Sequence, residues 1–369
     1  MAQEAPYPNN PSGIPVPDNN LINGKNNFDC SLEADPARRV GCNSTAGIST
    51  FTFTSGKVHR LRLINAGGEA LQRFTIDNHN ITIVANDLVP VVPYQPLDNI
   101  VTLGAGQRTD ILVTANGSST DAVFMRSDIS AFCVNDNLTH SQNHALATIY
   151  YEEADRSKTP TSTARPYDEV DRGCHNDDLY MTVPLFPFAT VPKADVTIDL
   201  HIDFRNNGTA ANASDGKGSL QWFMNNSTFH ANYNHPILFE ANRGNISYPD
   251  DPQWNVHNTG TNTNVRINMT NFVSANHASH PMHLHGHNFF VLSEGGGVWD
   301  GGSGNYDNQP RRDTQILRQA DPGGASHLAE RPDQIAELSI PDIMAETCTN
   351  WDQYSNSVIV DQIDSGLKL

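Results

Sequence analysis

The chain is poor in the features that most often announce a function. Basic residues are scarce, with 23 Lys and Arg against 41 Asp and Glu, giving a formal charge of −18 and a pI near 5.1. Such a balance argues against nucleic acid or an anionic membrane as a partner. No apolar run approaches the ~18–20 residues of a membrane-spanning helix, and the polar, Pro- and Asn-rich first twenty residues do not read as a signal peptide. No stretch carries a long, capped helical period. Neither a G-x-S-x-G elbow nor an H-E-x-x-H helix occurs, which makes hydrolase readings poor. The run SEGGGVWDGGSGNYD at 293–307 precedes no helical pattern, so it reads as a flexible strand-to-strand loop and not a phosphate cradle. Cysteine is scarce too: there are five, an odd number, and none stands in a C-x-x-C pair. Cys30 and Cys42 are close enough to close a small loop, and Cys133 and Cys174 flank the middle of the chain. Both pairs are expected to be disulfides, while Cys348 has no obvious partner.

What the chain does have is histidine in one place. Five of its fifteen histidines fall between His277 and His287, four of them in the run His280-Pro-Met-His283-Leu-His285-Gly-His287. Imidazole suits copper, zinc, iron or nickel, so the run points to a transition metal without choosing one. In an extended strand the side chains of His283 and His285 would project to one face, about 6.5–7 Å apart, with His287 alongside and His280 free to point elsewhere. Gly286 removes a side chain where a metal or a second backbone would need to approach. A histidine-rich surface loop or a neutral zinc-binding turn is the bland alternative. Phe289, Phe290, Val291 and Leu292, directly after the run, favour a site built on a rigid strand.

Elsewhere the pattern is short β-branched and aromatic runs bounded by Gly, Asn, Asp or Pro, which marks an all-β protein built of sandwiches or barrels. Val58–Ile64, Ile81–Val84, Asp110–Thr114 and Ala145–Tyr151 are such runs. The cleanest is Val196–Phe204, where Val196, Ile198, Leu200, Ile202 and Phe204 alternate with polar residues. The segment from 156 to 192 loses the strand pattern and gains Pro, Thr and charge, so it is expected to be a linker. The expected organisation is a leading segment at 1–20, a sandwich at 21–155, the linker, and a second sandwich at 193–369, with Cys133–Cys174 tying the linker to the first sandwich. Ten N-x-Ser/Thr sequons, at Asn43, Asn80, Asn116, Asn137, Asn207, Asn212, Asn225, Asn226, Asn245 and Asn268, fit a secreted glycoprotein whose signal peptide is missing.

HPMHLHGHNFFVL closely resembles the third copper-binding motif of multicopper oxidases, and within them the fungal laccases. NNLINGK at 19–25, RLRLINAG at 60–67, IDNHNITIVANDLVPV at 76–91, GQRTD at 106–110, QPRRDT at 309–314 and the C-terminal CTNWDQY and DSGL extend the resemblance over nearly the whole chain. It implies two cupredoxin-like Greek-key sandwiches in tandem, the second and third domains of an ascomycete laccase-like enzyme. It implies that His280 binds the type 1 copper, and that His283 and His285 bind type 2 and type 3 coppers of a trinuclear cluster. Asp77, in FTIDNHN, matches a position where laccases place an acid that accepts the donor's proton, or it is a turn residue. The DSGL tail implies trimming between Leu367 and Lys368, and Cys348 matches a cysteine that in this group pairs with the first domain.

The resemblance also marks what is missing. The first domain, with its HWHG and H-x-H motifs, is expected upstream of Met1. The fourth motif, HCH, should follow the RRDT strand, yet Asp321–His327 runs directly into Leu328–Ile335 with no cysteine between them. A blue copper site needs a thiolate and two imidazoles, of which only His280 is offered. The implied activity is laccase-type oxidation of phenolic donors with reduction of oxygen to water, by a protein that is monomeric when complete, with the chain as written inactive alone and one edge of its second sandwich unpaired. Ferroxidase or ascorbate oxidase chemistry is the alternative within the class. A secreted, non-catalytic sandwich keeping one weak metal site is the alternative outside it.

Overall fold

A computed structural model describes residues 17–33, 39–134, 141–168, 173–188, 193–206, 220–231, 236–242, 244, 252–273, 279–302, 308–320 and 324–332. Its regular structure is almost all β. Strands β1 (Ser49–Phe53), β2 (Val58–Ile64), β3 (Gln72–Ile76), β4 (Ile81–Asn86), β5 (Val89–Tyr94), β6 (Val101–Leu103), β7 (Arg108–Thr114), β8 (Ala122–Ile129) and β9 (His144–Tyr151) form two sheets. One has the order β1-β9-β8-β3-β6 and the other β2-β7-β4-β5.

Alternation decides which side chains meet between them. On β7, Ile111 and Val113 point inward with no exposed surface, and on β8, Val123 and Met125 are also buried. They join Phe53, Ile81, Ile83 and Ile149 in one core, where each fully buried Val, Ile or Phe contributes roughly 1.5–3 kcal/mol. The residues between them on β2 and β7 face water, so Arg60 pairs with Asp110 across the sheet surface.

The segment after β9 runs along the first sandwich and then bridges to the second. The Cys133–Cys174 disulfide pins it, with Cα atoms 5.6 Å apart, and Cys30–Cys42 closes the other expected loop, with Cα atoms 6.1 Å apart. Val183 and Leu185 extend the ladder at the edge of β5 through Val92 N–H to Val183 O (2.8 Å) and Leu185 N–H to Pro90 O (2.8 Å). Pro90 is tolerated there because edge strands accept proline. From the other side, Asn308 Nδ2 donates to Pro184 O and Arg311 Nη2 to Phe186 O.

The second half contains β10 (Val196–Asn206), β11 (Leu220–Met224), β12 (Val265–Asn271), β13 (His280–His283), β14 (Phe289–Gly296), β15 (Arg311–Arg312), β16 (Thr314–Leu317) and β17 (Ser326–Pro332). Six strands form one sheet in the order β11-β10-β12-β17-β14-β15, and β13-β16 make a two-stranded partner. Leu200 and Ile202 on β10 bury into a core with Met269, Phe289, Val291, Leu317 and Leu328. One expectation changes here. The Gly-rich loop begins later than the composition suggests, because Ser293–Gly296 stay paired with β17 as the end of β14, past a bulge after Val291. At the short junction, β17 is a central strand held by both β12 and β14.

The small sheet has only two strands. Its β16 edge is covered by side chains from elsewhere: Ile316 N–H donates to Asn176 Oδ1 (3.2 Å) and Gln107 Nε2 donates to Thr314 O (2.9 Å). Pro281 faces Ile316 across the ladder. Because the Ile316 N–H is turned outward, the N–H that proline lacks would have had no ladder partner.

Candidate metal centre

β13 sorts the histidines to two faces. Met282 and Leu284 pack against the second core, so His280, two residues before Met282, shares their inward side, and its ring meets Trp222 edge-on at 4.3 Å between centroids. His283 and His285 lie on the other side and are exposed. Their rings are 4.7 Å apart, centroid to centroid, and nearly perpendicular at 78°.

The strand is shorter than the alternation implied. It ends at His283; the chain then turns at His285 and Gly286, with Leu284 N–H on Asp313 O (3.2 Å) and His287 Nδ1 3.1 Å from His285 O. That turn separates His287 from a continuous strand face. Gly286 has φ +79°, and a Cβ there would meet nothing within 4 Å. Glycine is thus used for its left-handed backbone and not to make room.

The hydrogen bonds of His283 define what it can offer a metal. Its Nδ1 lies 2.7 Å from Asp313 O, which can only accept. Nδ1 therefore carries the proton, and Nε2 keeps the lone pair that a transition metal needs. Two imidazoles side by side are half of a tetrahedral donor set. Among the described residues no three His, Cys, Asp or Glu side chains are gathered to hold a metal ion. His327, on β17, is no candidate third ligand, because Ser293 Oγ lies 2.9 Å from its Nε2 and Gly297 O lies 3.1 Å from its Nδ1. Both ring nitrogens are taken up within the large sheet.

Asp77 lines a cleft of about 250 Å³ with Thr75, Asn78 and Arg165, yet its side chain has no exposed surface. Arg126 Nε and Nη2 donate to its two oxygens at 2.8 Å each, and Ser162 Oγ donates to Oδ2 at 2.7 Å. The carboxylate is thus held in an ion pair with Arg126. Of the sequon asparagines, Asn43, Asn80, Asn116, Asn225 and Asn226 are exposed. Asn225 and Asn268 spend their Nδ2 groups on Asp199, at 2.9 Å to its O and Oδ1 respectively. Asn137, Asn207, Asn212 and Asn245, together with Cys348, the DSGL tail and both ends of the 321–335 junction, lie outside the described residues.

Sequence reasoning missed the groups that frame His283. GQRTD and QPRRDT stand out as motifs, but Asp313 and Thr314 show their part only when β16 lies beside β13. A spacing of about thirty residues has no periodic signal, so nothing in the linear order could have paired them.

Comparisons with known proteins agree with this arrangement. Multicopper oxidase family models match residues 2–154 and 224–325. Laccase-3 of Botryotinia fuckeliana is 32% identical over 83% of this chain, which covers 64% of that protein. Oxidoreductase OpS5 of Beauveria bassiana is 30% identical over 95% of this chain, which covers 61% of it. Among solved structures, the laccase from Botrytis aclada superposes with a TM-score of 0.72 at 25% identity, over 94% of this chain and 65% of that one. The chain thus spans less than two thirds of each of these proteins, and its paired sheets match the cupredoxin domains of the laccase. With its histidine strand, its paired β-sheets and these relatives, the chain belongs to the multicopper oxidase family.

Proposed function

We propose that this chain is the part of a laccase-type oxidoreductase that contributes His280 to a type 1 copper and His283 and His285 to a trinuclear cluster. The observation that carries the reading is the arrangement on β13: an inward His280 beside Trp222, and an outward pair with His283 Nε2 left as a lone pair. Copper, when bound, supplies the one-electron steps by which phenolic donors are oxidised and oxygen is reduced to water. The chain's own part is positional. Met282 and Leu284 lock the strand into the core, and the carbonyl of Asp313 fixes the tautomer of His283. Secretion and glycosylation at exposed Asn80 and Asn116 belong to the same reading, and no helix among the described residues is long and apolar enough to cross a membrane.

No cysteine stands between Asp321 and Ile335, where the family places its blue-copper thiolate, so the chain by itself is expected to hold copper weakly and oxidise no phenol. The test is to produce the 369-residue chain, add Cu(II), and measure bound copper, the intense thiolate-to-copper absorption and oxygen uptake with a phenol. Weak binding without the absorption is the expected outcome. A blue, oxygen-consuming protein would overturn the account of its ligands. The reading as a non-catalytic metal-binding sandwich draws on the engaged nitrogens of His327. It predicts that supplying the family's remaining copper motifs restores no oxidase activity, whereas the laccase reading predicts oxygen-consuming phenol oxidation once all are present.

A further inference from the structure

Arg108 opens β7 in the first sandwich, and its guanidinium grips Asp313 of the second from two points, Nη1 to Oδ1 at 2.7 Å and Nη2 to Oδ2 at 2.6 Å. Asp313 is the single residue between β15 and β16, and its carbonyl meets both His283 Nδ1 and Leu284 N–H. Thr314 completes the arrangement. Its hydroxyl donates to Asp313 Oδ1 at 2.9 Å, so the hydroxyl oxygen, 3.0 Å from His283 Nδ1, can only accept there. Two acceptors thus converge on Nδ1.

The flank is held as well. Asp87, in the β4–β5 turn, has no exposed side-chain surface; it accepts Arg312 Nε (2.9 Å), Thr314 N–H (3.3 Å) and Arg108 N–H (3.0 Å). Residues 312–314 are therefore clamped by the first sandwich on both sides of the carbonyl that faces His283. Arg forks hold carboxylates with a directionality that Lys does not reproduce.

We propose that Arg108 is a positioning residue for His283: by gripping Asp313 it aims the 313 carbonyl at Nδ1, so the metal-facing Nε2 is kept as a lone pair by a residue of the other sandwich. The inference rests on the reading of His283 as a metal ligand. Its separate content is that a cross-sandwich ion pair, about two hundred residues apart in sequence, selects an imidazole tautomer. A pair that merely glued the sandwiches together would change stability and leave the tautomer alone.

Histidine labelled with ¹⁵N in the full, metal-free chain tests this, with the His283 signals identified by their loss in His283→Asn. Two-bond ¹H–¹⁵N spectra should show a protonated Nδ1 and a bare Nε2 at His283. In Arg108→Gln the signals should move toward a mixture of tautomers, and Arg108→Lys, which keeps the charge without the fork, should fall between. Cu(II) affinity, followed by electron paramagnetic resonance, should drop about 10–100-fold in Arg108→Gln. An unchanged His283 tautomer in a folded Arg108→Gln or Arg108→Lys protein overturns the proposal, whatever happens to the melting temperature. Should Arg108→Gln not fold, the same spectrum of Arg108→Lys decides the matter. A tautomer that depends on Arg108 in a chain that binds no Cu(II) would uphold the positioning role and refute the ligand reading. Copper binding with a tautomer indifferent to Arg108 would do the reverse.

Discussion

The two sandwiches obey the same alternation of buried and exposed residues, yet they close differently. The first sets five strands against four around a continuous aliphatic core. Among its buried polar groups, Asp77 pairs with Arg126, and His79 Nε2 lies 2.7 Å from the Tyr151 hydroxyl. The second sets six strands against two, and its core contains a carboxyl, Glu330, that is 2% exposed and has one oxygen, Oε2, with no hydrogen-bond partner. Its small sheet borrows partners from the other half, through Gln107, Asn176, Asp87 and Arg108. A sheet of two strands cannot satisfy its own edges, so its stability is tied to a neighbour.

The sharpest way to break that dependence is Asp87→Ala. Burial works against the charge of Arg312, and Asp87, with smaller help from Tyr94 and Asp177, offsets it and holds the guanidinium above its ordinary pKa. Removing the carboxylate leaves a buried cation uncompensated, at a cost of about 3–5 kcal/mol. In a denaturant titration read by tryptophan fluorescence, the second half should unfold first and separately. A single unshifted transition would show that the halves do not lean on each other here.

Glu330→Gln should work in the opposite direction. Burial pushes the Glu330 carboxyl up from 4.5 to about 8. Between those values the folded chain keeps a proton that the unfolded chain has lost, so wild-type stability falls as pH rises through that window, the loss being complete above it. Glutamine has no such charge to suppress. The variant should be roughly 3 kcal/mol more stable near neutral pH, with little difference below about pH 4.5. Thermal melts across that range test the sign, and parallel pH profiles for the two proteins would refute the assignment.

The smallest effect is expected inside the self-sufficient half. Tyr151→Phe removes a hydroxyl that accepts from Gly117 N–H at 2.9 Å and bonds His79. Leaving those groups unsatisfied costs about 1–3 kcal/mol, and the loss should appear in the first sandwich's transition of a denaturant curve while the second half is unmoved. A shift shared equally by both would contradict the contrast between them.

The strands were legible because period-two alternation is local. Val196–Phe204 declared its inward face residue by residue, and Leu200 and Ile202 are buried as that pattern requires. The two disulfides were legible because the cysteines are few: Cys30 and Cys42 are close in sequence, and Cys133 and Cys174 flank the middle of the chain. Asp77 was not: FTIDNHN says a carboxylate is present, but only the approach of Arg126 and Ser162 shows it spent on an ion pair. Glu330 was equally silent, since one acidic residue in LAERP looks solvent-facing until β17 takes its central place between β12 and β14, where Glu330 is 2% exposed.

The histidine run shows where the division falls. Residue types and spacing alone determined that imidazoles would gather, that His283 and His285 would share a face while His280 was free to point elsewhere, and that a transition metal suits them, because strand geometry and ligand chemistry are properties of neighbouring residues. Only the tertiary structure decided that the strand stops at His283, that the two rings come to 4.7 Å, and that His283 keeps its proton on Nδ1. Those outcomes depend on Asp313, Thr314 and Arg108, which reach the run through sheet pairing and an ion pair between sandwiches. Hydrogen-bond direction depends on where atoms meet in space, and no linear pattern carries that information.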